Sequence, residues 1–315
     1  MEKIKVIFMG TPQFACSILQ QLIDDQYTIL AVVSQPDKKV GRKQIIQQTP
    51  VKKLACQYNI PVLQPISIQK EYDQIIAMQP DLIVTCAYGQ FIPEVVLQAP
   101  TYGSINVHAS LLPKLRGGAP IHKAIIYGYK ESGISIMRMI KKMDAGAVMS
   151  QVKVPIEITD TAGDLHDKLM VAGAKLLSES IPLIIKQSAQ FVEQVEEEAT
   201  FAYNISKEEE FIHFLRPLDE VYNHVRGLIP FPSGYGIING KKIKFHKVYK
   251  KEAQHQYRAG TFIGMMEDAI AIACQGGFLL VYELQMEGKT KVDAKSFYNG
   301  SGKQFIDHIF LSEIA

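Results

Sequence analysis

The sequence predicts an α/β chain in two parts: a mostly parallel sheet with helices on both faces, then a smaller β-barrel. Three observations carry this. Through the first half, short and near-continuously apolar runs alternate with helical stretches, as in a sheet buried on both faces. An acidic stretch then interrupts, with seven glutamates and one lysine between Glu193 and Glu210. Beyond it the chain breaks into short strands with regular turns, the pattern of a small barrel. With 315 residues and 47% hydrophobic content, the chain is long enough for two cores. The expected division is residues 1–190, an exposed linker at 191–207, and a second domain at 208–315.

Lys5 to Met9 reads as the first strand, with Thr11 as cap and Pro12 as the opening position of a helix. Thr28 to Ser34 is a second, β-branched strand. Thr49-Pro50 repeats the cap-and-proline start for a helix through Tyr58. Asp81 to Ala87, Tyr102 to His108 and Gly133 to Ile140 follow as strands, and a helix from about Thr161 to Lys186 closes the unit. After the acidic stretch, helices are expected at Glu208 to Leu215 and at Asp219 to Gly227, the second stopped by Pro230-Phe231-Pro232-Ser233-Gly234. The barrel strands are Gly236 to Ile238, Lys242 to Tyr249, Gly260 to Met265, Ala269 to Cys274 and Phe278 to Leu284. Asn239-Gly240 joins the first two as a hairpin turn.

Several function classes are disfavoured. The net charge is only +2, so affinity for a polyanion has to come from local patches. Lys3 and Lys5 precede only Val6 to Met9 before Gly10-Thr11-Pro12, too short for a signal peptide. No run approaches the about 20 apolar residues of a membrane helix. Cys16, Cys56, Cys86 and Cys274 are widely spaced in apolar contexts, as reduced thiols of a cytoplasmic protein are. Gly10-Thr11-Pro12 stands where a dinucleotide fingerprint belongs in a Rossmann-like sheet, but G-x-G-x-x-G is absent. There is no Walker A sequence, and His122, His166 and His213 do not cluster with cysteine or acid, so no metal is expected.

The informative segment is Ser104-Ile105-Asn106-Val107-His108-Ala109-Ser110-Leu111-Leu112-Pro113. Asn106 and His108 are two apart on a strand and share a face. They lie at its carboxyl end, where open α/β sheets place ligands. The pair reads either as chemistry or as a hydrogen-bonded strand end. Gly117-Gly118 downstream permits a close backbone approach. Asp144, in Met143-Asp144-Ala145-Gly146, is on its own only a turn residue.

Asn106-x-His108-x-Ser110-Leu111-Leu112-Pro113, then Arg116-Gly117-x-x-Pro120 and Asp144-x-Gly146, resembles the folate-dependent formyltransferases. Phe8-Met9-Gly10-Thr11-Pro12-x-Phe14-Ala15, Leu284-Gln285 and Gly288-Lys289 extend the resemblance over nearly the whole chain, toward the branch acting on initiator methionyl-tRNA. It implies a catalytic triad of Asn106, His108 and Asp144, with 10-formyltetrahydrofolate as co-substrate. It implies folate binding by Ser110, Leu111, Leu112 and Pro113, and by a pterin-side loop with Tyr88, Gly89, Phe91 and Ile92. Ala109 and Leu115 depart from the glycine and tryptophan common there. The second domain is OB-like in that family.

Two basic stretches fit a tRNA partner. Six basic residues and no acids lie from Lys38 to Lys53, and six lysines from Lys241 to Lys251. Such patches bind phosphate backbones, though they also serve solubility. The resemblance implies that the loop with Lys39, Arg42 and Lys43 meets the acceptor end, and that the barrel, with Lys244, holds the tRNA body. A formyltransferase for amino-sugar nucleotides, or a non-catalytic RNA- or folate-binding module, remains the alternative. No apolar stripe demands a dimer, so a monomer is expected.

Overall fold

The computed structural model describes residues 4–40 and 44–313, which fall into two compact units. The first takes the chain up to Pro120 together with Ser132–Pro155 and His166–Tyr203. Its strands are β1 (Lys5–Gly10), β2 (Thr28–Val33), β3 (Lys38–Val40), β4 (Ile45–Gln47), β5 (Val62–Leu63), β6 (Leu82–Cys86), β7 (Ser104–His108), β8 (Glu131–Arg138) and β9 (Val148–Pro155). Seven form one sheet in the order β5-β2-β1-β6-β7-β8-β9, while β3 and β4 make a separate ribbon. Pairing is parallel from β5 through β7 and antiparallel between β7 and β8.

Burial explains the apolar runs. Val6, Ile7, Phe8 and Met9 on β1 and Leu82, Ile83 and Val84 on β6 are all fully buried. Both faces of these central strands are covered, so no polar alternation survives in the sequence. Ile7, Met9 and Ile83 join a cluster with Val33, Ile68, Ile75 and Val96. The helix Ala162–Ile185 covers the sheet through Gly173, where a Cβ would touch Ile18, Val107 and Ile134 at 3.3, 3.4 and 3.5 Å. The chain leaves β1 for β2 on one side and later returns to β6 on the other. A crevice therefore opens at the carboxyl ends of β1 and β6, the place where such sheets hold ligands.

Thr11 does not cap the helix Gln13–Asp24, whose N-cap is Pro12. Its hydroxyl instead donates to Tyr88 O (2.9 Å) and accepts the Gln35 N–H (3.3 Å). The hydroxyl thus ties together the loops that follow β1, β2 and β6. Thr49 does cap its helix, Pro50–Gln57, by accepting the Lys52 N–H (3.2 Å).

The second unit takes Ile121–Glu131, Ile156–Leu165 and the chain from Asn204 onward. Its strands are β10 (Tyr235–Ile238), β11 (Lys241–Glu252), β12 (Phe262–Met266), β13 (Ala269–Cys274), β14 (Gly277–Met286) and β15 (Val292–Asp293). They form an antiparallel sheet in the order β10-β11-β14-β13-β12, with β15 on β14. Asn239 and Gly240 turn β10 into β11 at φ of 49° and 70°, the geometry that matches strand twist in a hairpin. The C-terminal segment closes the sheet. Asp307 N–H donates to Phe262 O, Phe310 N–H to Gly260 O and Leu311 N–H to Ile237 O, so this segment bridges the β12 edge to β10. Ile243, Phe245, Ile272, Leu279, Val281 and Phe310 fill the interior.

The helix expected over Glu208 to Leu215 does not form. Only the single turn Glu208–Glu210 is helical. Phe211 then bridges Tyr235, and Ile212 N–H donates to Tyr235 O (2.9 Å). This extended course leaves Phe211, Ile212 and Phe214 at most 1% exposed, and that burial outweighs local helix propensity. Residues 191–207, expected as an exposed linker, are largely exposed, but those up to Tyr203 belong to the first unit and those from Asn204 to the second. Val192 bridges Val148, and Phe201 bridges Arg116.

Candidate active site

The carboxyl end of β7 carries two polar side chains on one face. Thr85 on β6 pairs with Asn106, and its hydroxyl donates to Asn106 Oδ1 (2.8 Å), the nearest of three acceptors that also include Met139 Sδ (3.0 Å) and Ile105 O (3.1 Å). That bond engages the amide oxygen and leaves the NH₂ to donate elsewhere. His108 is 6% exposed. Its Nε2 lies 3.1 Å from Leu115 O; a carbonyl only accepts, so this nitrogen carries a proton. Its Nδ1 faces Asp144 Oδ2 at 3.7 Å, beyond hydrogen-bond length but well within Coulombic reach. Asp144 Oδ2 also accepts the Gly117 N–H (2.9 Å). Strand end and distant turn are thus brought together, as sequence spacing alone could not show.

Of the groups behind these residues, the sequence marked only Arg116, as part of a motif and with no role given. Asp144 sits at φ 49°, a left-handed conformation unusual for a side-chain-bearing residue. Gln194 Nε2 donates to Asp144 O and Gly146 O, both at 2.8 Å. Gln194 Oε1 accepts from Arg116 Nε (3.0 Å) and Nη2 (2.9 Å). Arg116 is fully buried, and its Nη1 donates to Glu196 Oε2 (2.9 Å). Thr200 accepts the Leu115 N–H (2.9 Å), which fixes the carbonyl-bearing residue that faces His108. Gln194, Glu196 and Thr200 all lie in the acidic stretch, where no local pattern marked them.

The residues expected at the folate mostly shape loops. Ser110 Oγ donates to Lys114 O (2.6 Å), and Ser110 O accepts from Ser135 Oγ (2.7 Å). Leu112 N–H donates to Ser135 Oγ (3.1 Å) and Leu112 O accepts from Gln151 Nε2 (2.9 Å). Leu111, Pro113 and Ile92 are half-buried, Tyr88 is buried, and Gly89 and Phe91 are exposed. Burial pushes the Tyr88 phenol up to about 12, so it stays neutral. A cavity of about 730 Å³ is lined by Leu97, Ser104, Arg138, Met139, Ile140 and Phe191 among others. None of the eight residues expected at the folate lines it. Met139 links this cavity to Asn106 through Thr85, because its Sδ lies 3.0 Å from Thr85 Oγ1. The volume lies within the range of small-molecule sites, and the lining mixes apolar side chains with polar and charged ones such as Glu94, Tyr102, Arg138 and Lys141.

Of the expected tRNA contacts, Arg42 and Lys43 lie outside the described residues. Lys39 is exposed on β3, whose partner strand β4 presents Ile45 and Ile46 at 63% and 67% exposure. Lys244 Nζ donates to Pro232 O (3.0 Å). Lys250 pairs with Asp219 and Glu252, and Lys251 with Glu267. Lys241 and Lys247 stay exposed. On the same strand Ile243 and Phe245 are buried at 1% and 0% exposure, as their alternation with Lys244 and His246 predicts. Among the described residues no group of three His, Cys, Asp or Glu side chains could hold a metal ion.

Residues 2–181 match the family described as formyl transferase, and residues 204–302 match the formyl transferase C-terminal domain. The methionyl-tRNA formyltransferase of Geobacillus sp. (strain WCH70) is 49% identical over 302 residues, covering 95% of both chains. That of Bacillus cereus (strain G9842) is 47% identical over 301 residues, 95% of this chain and 96% of the relative. Among solved structures, WlaRD, a sugar 3N-formyl transferase crystallised with dTDP and 5-N-formyl-THF, superposes with a TM-score of 0.67 at 21% identity. It covers 92% of this chain and 100% of its own. HypX from Aquifex aeolicus in complex with tetrahydrofolic acid gives 0.66 at 12% identity, over 97% of this chain and 48% of that one. At such identities these two likenesses speak for the fold alone. The full-length identity and both domain matches establish that this chain belongs to the formyltransferase family, in its methionyl-tRNA formyltransferase branch.

Proposed function

We propose that this chain transfers the formyl group of 10-formyltetrahydrofolate to the amino group of methionine on initiator methionyl-tRNA, for translation initiation. The observation that carries the reading is the meeting of His108 and Asp144 beside Asn106, in a chain 49% identical over 95% of its length to a methionyl-tRNA formyltransferase. The folate supplies a formyl group already activated on nitrogen. Asn106, oriented by Thr85, donates its NH₂ to the formyl oxygen as negative charge builds there; one such donor lowers the barrier by about 3 kcal/mol. His108 handles the proton, since the attacking amine loses one and the departing nitrogen gains one. The Leu115 carbonyl fixes the ring through its protonated Nε2, which leaves Nδ1 to take the amine's proton and return it to the departing folate nitrogen, while the Asp144 carboxylate 3.7 Å away stabilises the imidazolium formed in between.

Tyr88, Gly89, Phe91 and Ile92, on the pterin side, offer the folate mainly backbone groups, and Ser110, Leu111, Leu112 and Pro113 also bind it. Lys39, Arg42, Lys43 and Lys244 meet tRNA phosphates, with the affinity falling steeply as salt rises. A tRNA substrate places the activity in the cytoplasm, and a monomer already contains every group named. No described helix is long and apolar enough to cross a membrane.

The competing acceptor is an amino-sugar nucleotide. The test offers the protein 10-formyltetrahydrofolate with charged initiator tRNA or with a dTDP-amino sugar. Formyl-methionyl-tRNA is the expected product; formyl transfer to the sugar alone would sink the proposal.

A further inference from the structure

We infer that Gln194, backed by buried Arg116, is a positioning residue that holds Asp144 against His108. This rests on the triad reading above. The Asp144 turn is awkward to maintain. Asp144 lies at φ 49°, and a Cβ on Gly146 would meet Arg138 O at 2.0 Å. A turn so constrained needs its outward carbonyls satisfied, and the Asp144 carboxylate has to point at one ring nitrogen. Gln194 answers both needs with one side chain. Its NH₂ has two hydrogens, and they go to Asp144 O and Gly146 O at 2.8 Å each. Only a primary amide can donate twice and still accept. Its Oε1 takes both Arg116 Nε and Nη2, which fixes the amide orientation.

Arg116 then closes the frame. Its own neighbour, Gly117, gives its N–H to Asp144 Oδ2 at 2.9 Å. The Arg116–Gly117 peptide therefore holds the carboxylate from one side, while the Arg116 guanidinium holds Gln194, and so the backbone, from the other. Gly117 has to be glycine: its φ is +121°, and a Cβ would meet Ala202 O at 2.7 Å. Glu196 anchors the outer end by pairing with both Arg116 Nη1 and Lys142 Nζ. Every polar atom of the Gln194 amide is used by a partner within the chain. Arg116 is entirely buried with its positive charge answered by Glu196, and breaking such an assembly is costly. The assembly serves a carboxylate 3.7 Å from an imidazole, and displacement of a reacting group by about 1 Å can cost about a hundredfold in rate.

The test is Gln194→Glu, which keeps the Arg116 contact but cannot donate to the two carbonyls. We expect kcat to fall by about tenfold or more while KM for folate and for tRNA moves by less than about twofold. Because Gln194 acts through Asp144, the same change in an Asp144→Asn background should alter kcat by less than about twofold. Should Gln194→Glu keep kcat while Asp144→Asn loses it, the clamp is wrong and the triad stands. An active Asp144→Asn would overturn both, and additive losses in the double variant would overturn the coupling. Gln194→Met replaces the glutamate variant if that one does not fold. In the unaltered protein, slow hydrogen exchange of the Gln194 side-chain amide by NMR is expected, and fast exchange would refute the clamp without any variant.

Discussion

Asn106 has an amide whose two ends have opposite chemistry. In the proposed transfer, an NH₂ facing the formyl oxygen would stabilise the charge that develops there, and an oxygen facing it would repel that charge. Thr85 decides between them, because its hydroxyl donates to Asn106 Oδ1 at 2.8 Å. Replacing Thr85 with valine keeps the shape and removes the donor. The amide is then free to turn over, and kcat should fall by about tenfold, with KM for the folate little changed and the melting temperature within a few degrees of the parent. Steady-state kinetics on Thr85→Val decides this; an unchanged kcat would mean that Thr85 does not orient the amide. Asn106 and His108 were legible in the sequence because the strand period alone puts them on one face. Thr85 was not, since it looks like any β-branched residue in the run Leu82–Cys86. Nor was Gln194, which reaches Asp144 across 50 residues of chain, a separation that no local pattern spans.

At the scale of elements, the parallel strands were legible because burial on both faces leaves an unbroken apolar run, and the Asn239-Gly240 hairpin because only such residues tolerate two positive φ angles. The segment after Glu208 misled because its three glutamates favour a helix locally, whereas Phe211 and Ile212 pair with Tyr235 far along the chain. The helix Leu218–Gly227 was found, yet its amphipathic pattern hides a titratable group on the buried side. His224 is 7% exposed, and its Nε2 lies 2.7 Å from Glu209 O. Burial, above all other causes, lowers its pKa to about 4. The folded state therefore keeps His224 neutral, while the unfolded chain binds its proton near the ordinary value of about 6.5. Its contribution is fully present above that value and is lost as pH falls toward about 4. Between about pH 7 and about pH 5 this removes about 2 kcal/mol of stability. Urea unfolding followed by circular dichroism at both pH values checks this against His224→Gln, which should flatten the difference. An equal pH dependence in both proteins would assign it elsewhere.

At the scale of the whole molecule, two different solutions to the sheet-edge problem occur in one chain. The first unit buries the central strands of an open sheet under helices. The second closes its sheet with an irregular segment, 307–311, that no strand pattern announces. Its backbone supplies Asp307, Phe310 and Leu311 N–H groups to Phe262, Gly260 and Ile237 carbonyls, which would otherwise be exposed edges open to pairing with another chain. Its side-chain anchor is Phe310, 3% exposed, with its ring centroid 4.9 Å from Phe214 and 6.0 Å from Phe245. Phe214 also meets Phe245 edge-on at 5.8 Å, so the three rings form one mutually packed group. Truncating the ring of Phe310 removes its burial and opens a cavity among the others, at a cost of about 3–5 kcal/mol. A small β unit has only a modest margin of stability, so Phe310→Ala should expose β10 and β12 even at moderate temperature. Hydrogen exchange by mass spectrometry should show protection lost across β10 to β14 while β1 and β6, whose core shares no residue with this cluster, keep theirs. If β10 and β12 retained full protection in Phe310→Ala, the closing segment would be a passive tail, and the barrel would have to be held by β11, β13 and β14 alone.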